Sequence, residues 1–461
     1  MPEKVEKNVC PECISDPFVQ QWIKDEGIAA SCDYCNQERV CVILSDLADW
    51  VDKVYRENYQ LGDEYPVFDH GEEKPRWEMA GSDPIDIIGN MLGAEEGVAE
   101  DLVTILSDQE SYAVHRDGET PYYDCSLSYE ETPVHDFQHS ELWDDFCFSV
   151  KHRSRFFSHE SMKLLSELIG GLAQLPYSGK QAPIREIGPE DADRYVYRAR
   201  RAESKAARLR VCVLPVRELG SPPARRSIAG RMNPAGIPAF YGALDRETCL
   251  VELRLSVGDV GVTGKFEIIR PLCFMDLTVF AHIYEELSLF DPSFKTKASR
   301  LKFLRRFERE ISKPILPGDE VLEYAPTQAL VEYLANYYEP RIDGIIYSST
   351  QTGGKGKNVV IFRHAAHILP IDPPPATDGR GLKMREMWTE MEYLAYPAAD
   401  NQDGTWVSLE PREEGGAGGN GEPAIRLVED SLEVHQISAI QVNYSSNAVS
   451  VETEEETNTE F

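Results

Sequence analysis

The chain has no apolar run approaching membrane-spanning length, which excludes a helical anchor. Its first residues, MPEKVEKNVC, lack the apolar core of a secretory leader. Both absences point to a soluble, cytoplasmic protein. Positive charge is short as well. There are 47 Lys and Arg against 79 Asp and Glu, a net charge of −32. Such acidity argues against a broad nucleic-acid-binding surface. No internal repeat marks a solenoid or propeller.

What is present is unevenly spread. Residues 1–182 hold 14 basic and 37 acidic side chains, residues 183–370 hold 28 and 23, and residues 371–461 hold 5 and 19. The middle is therefore slightly basic and suits a small phosphate-bearing ligand. With 461 residues and 42% hydrophobic content, the chain can build two or three domains with sizeable cores.

Four of the ten cysteines form two CxxC pairs, Cys10 with Cys13 in CPEC and Cys32 with Cys35 in CDYC. That spacing fits a tetrahedral four-thiolate zinc site, closed to water and so structural. The alternatives are unligated buried cysteines or a redox pair. The other six (Cys41, Cys125, Cys147, Cys212, Cys249, Cys273) read as core.

Helical patterns follow to about residue 177. SDLADWVDKVYREN carries an apolar face and offers Ser45 as N-cap. SDPIDIIGNML has a capping residue and an early proline. ELWDDFCFSVKHRSRFF and HESMKLLSELIGGLAQL read as two longer helices. Arg153 and His159 have the spacing R-x5-H, which resembles the ribonuclease signature of HEPN helical domains. The simpler reading is a basic helix end with His159 in a capping turn.

A Pro/Gly-rich boundary leads into a mixed region. YVYRARRAE, LRVCVLPVREL, GKFEIIRPLCFMDLT, DGIIYSST and NVVIF read as strands. SRLKFLRRFEREIS and TQALVEYLANYYE read as helices. QTGGKGK lacks the GxxxxGK[ST] spacing of a phosphate loop and reads as a hairpin turn. The expected fold class is α+β. The organisation is a helical zinc-stapled domain at 1–180, a mixed β-rich domain at 183–370, a linker at 371–423, a β-rich extension at 424–451 and a disordered acidic tail at 452–461.

Three polar residues interrupt apolar elements of the middle region: Arg198 in VYRAR, Glu252 in TCLVELR and Ser349 in GIIYSST. Glu252 is expected on a helix spanning 246–254. A lone glutamate there would ordinarily be a solvated partner of Arg246 or Arg254. The ordered blocks around these residues (YRAR, GRMNPAGIPAFYGA, ETCLVELR, QALVEYL, DGIIYSST, NVVIF) resemble the RES family over about 190 residues. The preceding CPECISDPFVQQWI…CDYC and WDDFCFSVKHRSRFF blocks resemble the HEPN-type N-terminal domain of some RES proteins. By that resemblance the middle domain is ADP-ribosyltransferase-like and consumes NAD, as RES toxins do. Arg198, Tyr241, Glu252 and Ser349 are then the catalytic residues. Arg198, Arg231, Asn233, Tyr241 and Ser349 contact the substrate. The register of the serine leaves Ser348 as an alternative to Ser349.

The chemistry is coherent. Breaking the nicotinamide–ribose bond creates an oxocarbenium-like centre that a carboxylate opposes. Arginine provides a planar fork for the pyrophosphate, and a tyrosine ring can stack on nicotinamide. The expected function is an NAD glycohydrolase or phosphorylase in a toxin–antitoxin or phage-defence setting, with a bound antitoxin as partner and homo-oligomerisation open. The rivals are ADP-ribosyl transfer to a macromolecule, an HEPN-type RNase and a non-enzymatic zinc adaptor.

Overall fold

The computed structural model describes residues 6–67, 75–94, 96–117, 122–156, 158–177, 181–316, 318–370, 382–385, 392–395 and 422–440. They fall into two units. One comprises Met1–Lys180 with Phe280–Phe307, the other Gln181–Val279 with Glu308–Phe461. The fold class is α+β. No helix among the described residues is long and apolar enough to cross a membrane.

In the first unit, Glu38–Ile43 forms the centre of a three-stranded antiparallel sheet, flanked by Asn8–Val9 and Ile28–Ser31. Helix Pro17–Glu26 starts where Asp16 accepts from the amides of Phe18 and Val19, with proline at its first position. Helix Leu44–Asn58 buries Leu47, Val51, Val54 and Tyr55 on one face. Ser45 does not cap it. The strand ending at Ile43 runs straight into the helix, so Ile43 takes the cap position without a side-chain bond and Ser45 falls inside the first turn. The segment 280–307 packs within this unit, with the Phe307 ring 5.2 Å from that of Trp143 and Ser299 Oγ 2.9 Å from the buried His139 Nδ1.

The two longer helices expected near residue 150 are shorter than their patterns. Phe137–Phe148 gives way to a wide turn at Ser149–Arg153, and His159–Ile169 stops at Gly170 and Gly171, the latter at φ 68°. Cys125 is exposed and so is not a core residue. It lies in a turn between Tyr123 and Ser126.

The second unit is organised around one sheet. Its strands are β1 (Ile184–Ile187), β2 (Tyr195–Arg201), β3 (Phe240–Ala243), β4 (Val260–Ile268), β5 (Leu272–Asp276), β6 (Gly344–Ser348), β7 (Lys357–Ile361), β8 (Ile425–Leu427) and β9 (Glu433–Gln436). The order is β8-β4-β2-β3-β7-β6-β5-β1, with β9 also paired to β4. Only β5 and β6 run parallel. Val196, Phe240, Phe266, Ile346, Val359 and Ile361 belong to one buried cluster on this sheet.

The stretch LRVCVLPVREL is helical, not a strand. It supplies α1 (Lys205–Val213) and α2 (Pro215–Leu219). Ser204 caps α1 by accepting from the Ala207 amide at 3.1 Å, and Ala206, Ala207, Leu209 and Arg210 are strong helix formers. Pro215 then starts α2, where its missing N–H costs nothing. The valines that suggested a strand lose to this local capping.

The C-terminal β pattern packs back on the domain. Phe266 pairs with Leu427, and Val262 with Val434. Residues 441–451 of that extension, the acidic tail 452–461 and most of 371–423 lie outside the described residues. Within 371–423, Leu382–Arg385 and Glu392–Ala395 pair as antiparallel strands.

Candidate active site

Helix α3 (Arg246–Val251) begins where Asp245 accepts from both the amide and the hydroxyl of Thr248 at 2.7 Å. It is shorter than expected. Arg254 takes a left-handed conformation at φ 50°, so the helix closes after Val251 and Glu252 occupies its C-terminal turn. From there the exposed Glu252 turns one oxygen, Oε1, inward.

Two donors meet that oxygen. Ser349 Oγ donates at 2.6 Å and Asn358 Nδ2 at 2.8 Å. Ser349 is fully buried and Asn358 is 6% exposed. Ser348 is held differently, its amide donating to Glu308 Oε1 at 2.8 Å. The QTGGKGK segment is the turn of the β6–β7 hairpin, as its composition suggested. Gly353 and Gly354 adopt φ 64° and 83°, and Ser349 N donates to Gly356 O at 2.8 Å. A Cβ on Gly356 would lie 1.9 Å from Thr248 Oγ1, so only glycine lets the hairpin approach α3 this closely. This close approach is what brings Ser349 to Glu252.

Tyr241 on β3 belongs to a second network. Its hydroxyl donates to Asn233 Oδ1 at 2.7 Å and accepts from the Met232 amide at 3.0 Å. Asn233 is buried, and its amide donates to the carbonyls of Ile228, Pro234 and Ile237. Gln328 bonds the carbonyls of Gly230 and Asn233. The loop 230–238 is thus tied down at both ends. Arg231 donates to the carbonyls of Ile311 and Lys313 at 2.8 and 2.9 Å, so its guanidinium braces backbone here.

Arg198 makes no direct bond to the Glu252–Ser349 pair. Its guanidinium lies 4.8 Å from the Phe240 ring centroid. Among the described residues no hydrogen bond or ion pair joins it to Glu252 or Ser349, and its buried NH1 has no partner. Burial, reinforced by Arg200, pushes its pKa down to about 10. Its field still reaches the site. Burial pushes the Cys249 thiol up to about 12, with Arg198 opposing that rise while Asp245 and Glu252 add to it. Tyr241 also lies within the field of Arg198, although burial keeps its phenol protonated. The structure therefore brings Glu252 and Ser349 into contact, links Tyr241 to Asn233, and leaves Arg198 within the field of Tyr241 and Cys249.

Asn358 was missed by sequence reasoning. Its signal was an asparagine heading the apolar strand NVVIF, where asparagine is depleted unless its amide has work to do.

The cysteine pairs also converge. All four Sγ atoms of Cys10, Cys13, Cys32 and Cys35 lie within 4.8 Å of one another, with separations of 3.7 Å (Cys10–Cys13), 3.6 Å (Cys10–Cys35) and 3.8 Å (Cys13–Cys32). A tetrahedral ion with thiolates about 2.3 Å away requires edges of roughly 3.8 Å. The set fits a metal ion. Burial raises the Cys32 thiol, but the Cys35 and Tyr34 amides outweigh it and bring its pKa down to about 7.

Arg153 ends the turn at Ser149–Arg153, 3.7 Å from Glu160, and its guanidinium covers the Phe148 ring. His159 opens the next helix, capped by Ser158. No hydrogen bond among the described residues joins Arg153 to His159.

A family model described as RES domain matches residues 196–379, and one described as HEPN/RES N-terminal domain 1 matches residues 25–164. No curated protein and no solved structure matches. Arg198, Tyr241, Glu252, Ser349 and Asn358 all fall inside the first match, and the chain carries a RES domain over 196–379 preceded by a HEPN/RES N-terminal domain over 25–164.

Proposed function

We propose that the second unit cleaves the nicotinamide–ribose bond of NAD. The observation that carries this reading is the buried NH1 of Arg198, which has no partner among the described residues. A buried guanidinium nitrogen without an acceptor is costly and is retained where a ligand supplies one. A pyrophosphate matches the guanidinium fork. Glu252, exposed on one side and held on the other, suits the second requirement, a carboxylate facing developing positive charge.

In this mechanism the glycosidic C–N bond breaks and its electron pair leaves with nicotinamide, which becomes neutral. Glu252 opposes the positive charge left on the ribose. Water or phosphate then adds to the anomeric carbon through one oxygen and gives up a proton to solvent, leaving ADP-ribose or its phosphate ester. Arg198 anchors the pyrophosphate, Ser349 and Tyr241 line the reacting end, and Arg231 and Asn233 serve mainly by shaping the loop beside Tyr241. The four N-terminal cysteines hold one structural zinc. NAD loss suits a toxin restrained by an antitoxin. Incubating the purified protein with NAD tests the reading. Free nicotinamide without a labelled acceptor supports it, a labelled protein or nucleic acid redirects it to ADP-ribosyl transfer, and intact NAD overturns it.

A further inference from the structure

The Glu252 carboxylate is held asymmetrically. Oε1 accepts from both Ser349 and Asn358, whereas Oε2 has no hydrogen-bond partner among the described residues. The donors are buried and the glutamate is exposed, so one oxygen is fixed against the sheet and the other faces outward. Asn358 is placed for this by strand register. It pairs with Ala243 on β3 and with Tyr347 on β6, in the strand between those that carry Tyr241 and lead into Ser349. Its amide bonds Glu252 and no other described residue. A buried amide in a strand that continues as Val359, Val360 and Ile361 is costly unless bonded.

We infer that Asn358 is a positioning residue for Glu252. With Ser349 it fixes Oε1, and Oε2 is thereby aimed at the reacting ribose. This inference rests on the NAD-cleaving reading above. Asn358 touches no substrate atom in this scheme and acts only through the carboxylate.

The full-length protein carrying Asn358→Leu, Asn358→Asp or Asn358→Ser is assayed for nicotinamide release across pH, with melting temperatures recorded in parallel. Asn358→Leu removes the donor at similar volume and should lower kcat roughly 10- to 100-fold with KM nearly unchanged, the size expected for a group that orients a reacting one. Asn358→Asp places a second carboxylate beside Glu252. It should be the least active variant at neutral pH and regain activity on acidification, because only a protonated aspartate can donate to Oε1. A purely structural role would give no such recovery. Wild-type kcat in both the leucine and aspartate variants, or an aspartate variant that does not recover in acid, overturns the inference. Asn358→Ser keeps a donor and gives a folded comparison should the leucine variant misfold. It should fall between wild type and aspartate, and equality with aspartate also counts against the inference. The Asn358 side-chain amide resonance separates this result from failure of the NAD reading. It should shift on Glu252→Gln whether or not NAD is cleaved. A silent resonance overturns the positioning role, and intact NAD with a responsive resonance overturns only the proposed reaction.

Discussion

At the residue scale, Arg198 and Glu252 pose opposite problems. Arg198 is partly buried over the Phe240 ring, and its NH1 is buried with no hydrogen-bond partner among the described residues, a state that costs stability in the free protein. Arg198→Met fills similar space and removes that cost. The expected outcome is an unchanged or raised melting temperature together with loss of measurable NAD binding by calorimetry. Glu252→Gln keeps the shape and removes the charge. It should slow turnover by roughly 100-fold or more while NAD affinity changes little, which separates a transition-state role from binding. Glu252 and Ser349 were legible because each polar residue broke an apolar pattern inside an ordered block. Arg231 and Asn233 were read as substrate contacts, and their bonds to backbone were not legible. A sequence cannot show that their donors are directed at carbonyls of Ile311, Lys313 and the loop itself, since those partners are set by tertiary packing.

At the scale of elements, the hairpin between β6 and β7 and the start of α3 act as a single device. Thr248, capped by Asp245, leaves room only for a glycine at position 356, and that contact sets the height at which Ser349 meets Glu252. Gly356→Ala should therefore lower nicotinamide release strongly and depress the melting temperature, because the added methyl must push the hairpin away. The strands on either side of this turn were readable as short apolar runs, and so was the turn from its glycines. The helix α1 was not, because Val211, Cys212 and Val213 carry β propensity while the deciding contact is a single cap bond from Ser204. The cysteine centre behaves as another such device. Metal removal by a strong chelator should release about one zinc per chain and melt the sheet holding Glu38–Ile43, seen as lost amide protection there, since closed thiolate sites supply folding energy directly.

At the scale of the whole molecule, three histidines tie stability to acidity. Burial lowers the pKa values of His139, His367 and His435, so each is neutral in the fold. The unfolded chain takes up these protons near pH 6.5, before the folded chain does. Between the unfolded and folded values the unfolded state binds more protons, so stability rises with pH there and falls as the solution is acidified. Melting temperatures should be level above neutrality and decline below about pH 6.5. Replacing His435 with Gln should flatten part of that decline. A larger consequence follows from β8 and β9. Ile425 and Leu427 are buried against β4, and Glu267 pairs with Arg426 across 159 positions of sequence. Every residue assigned to the reacting site is translated by position 358, yet the sheet that supports them is finished only by strands ending at Gln436. A nascent chain interrupted before residue 422 would carry all the chemistry on an open sheet edge, short of the burial of Ile425 and Leu427, on the order of 3–6 kcal/mol. The order of synthesis thus delays completion of this sheet until Gln436 has emerged.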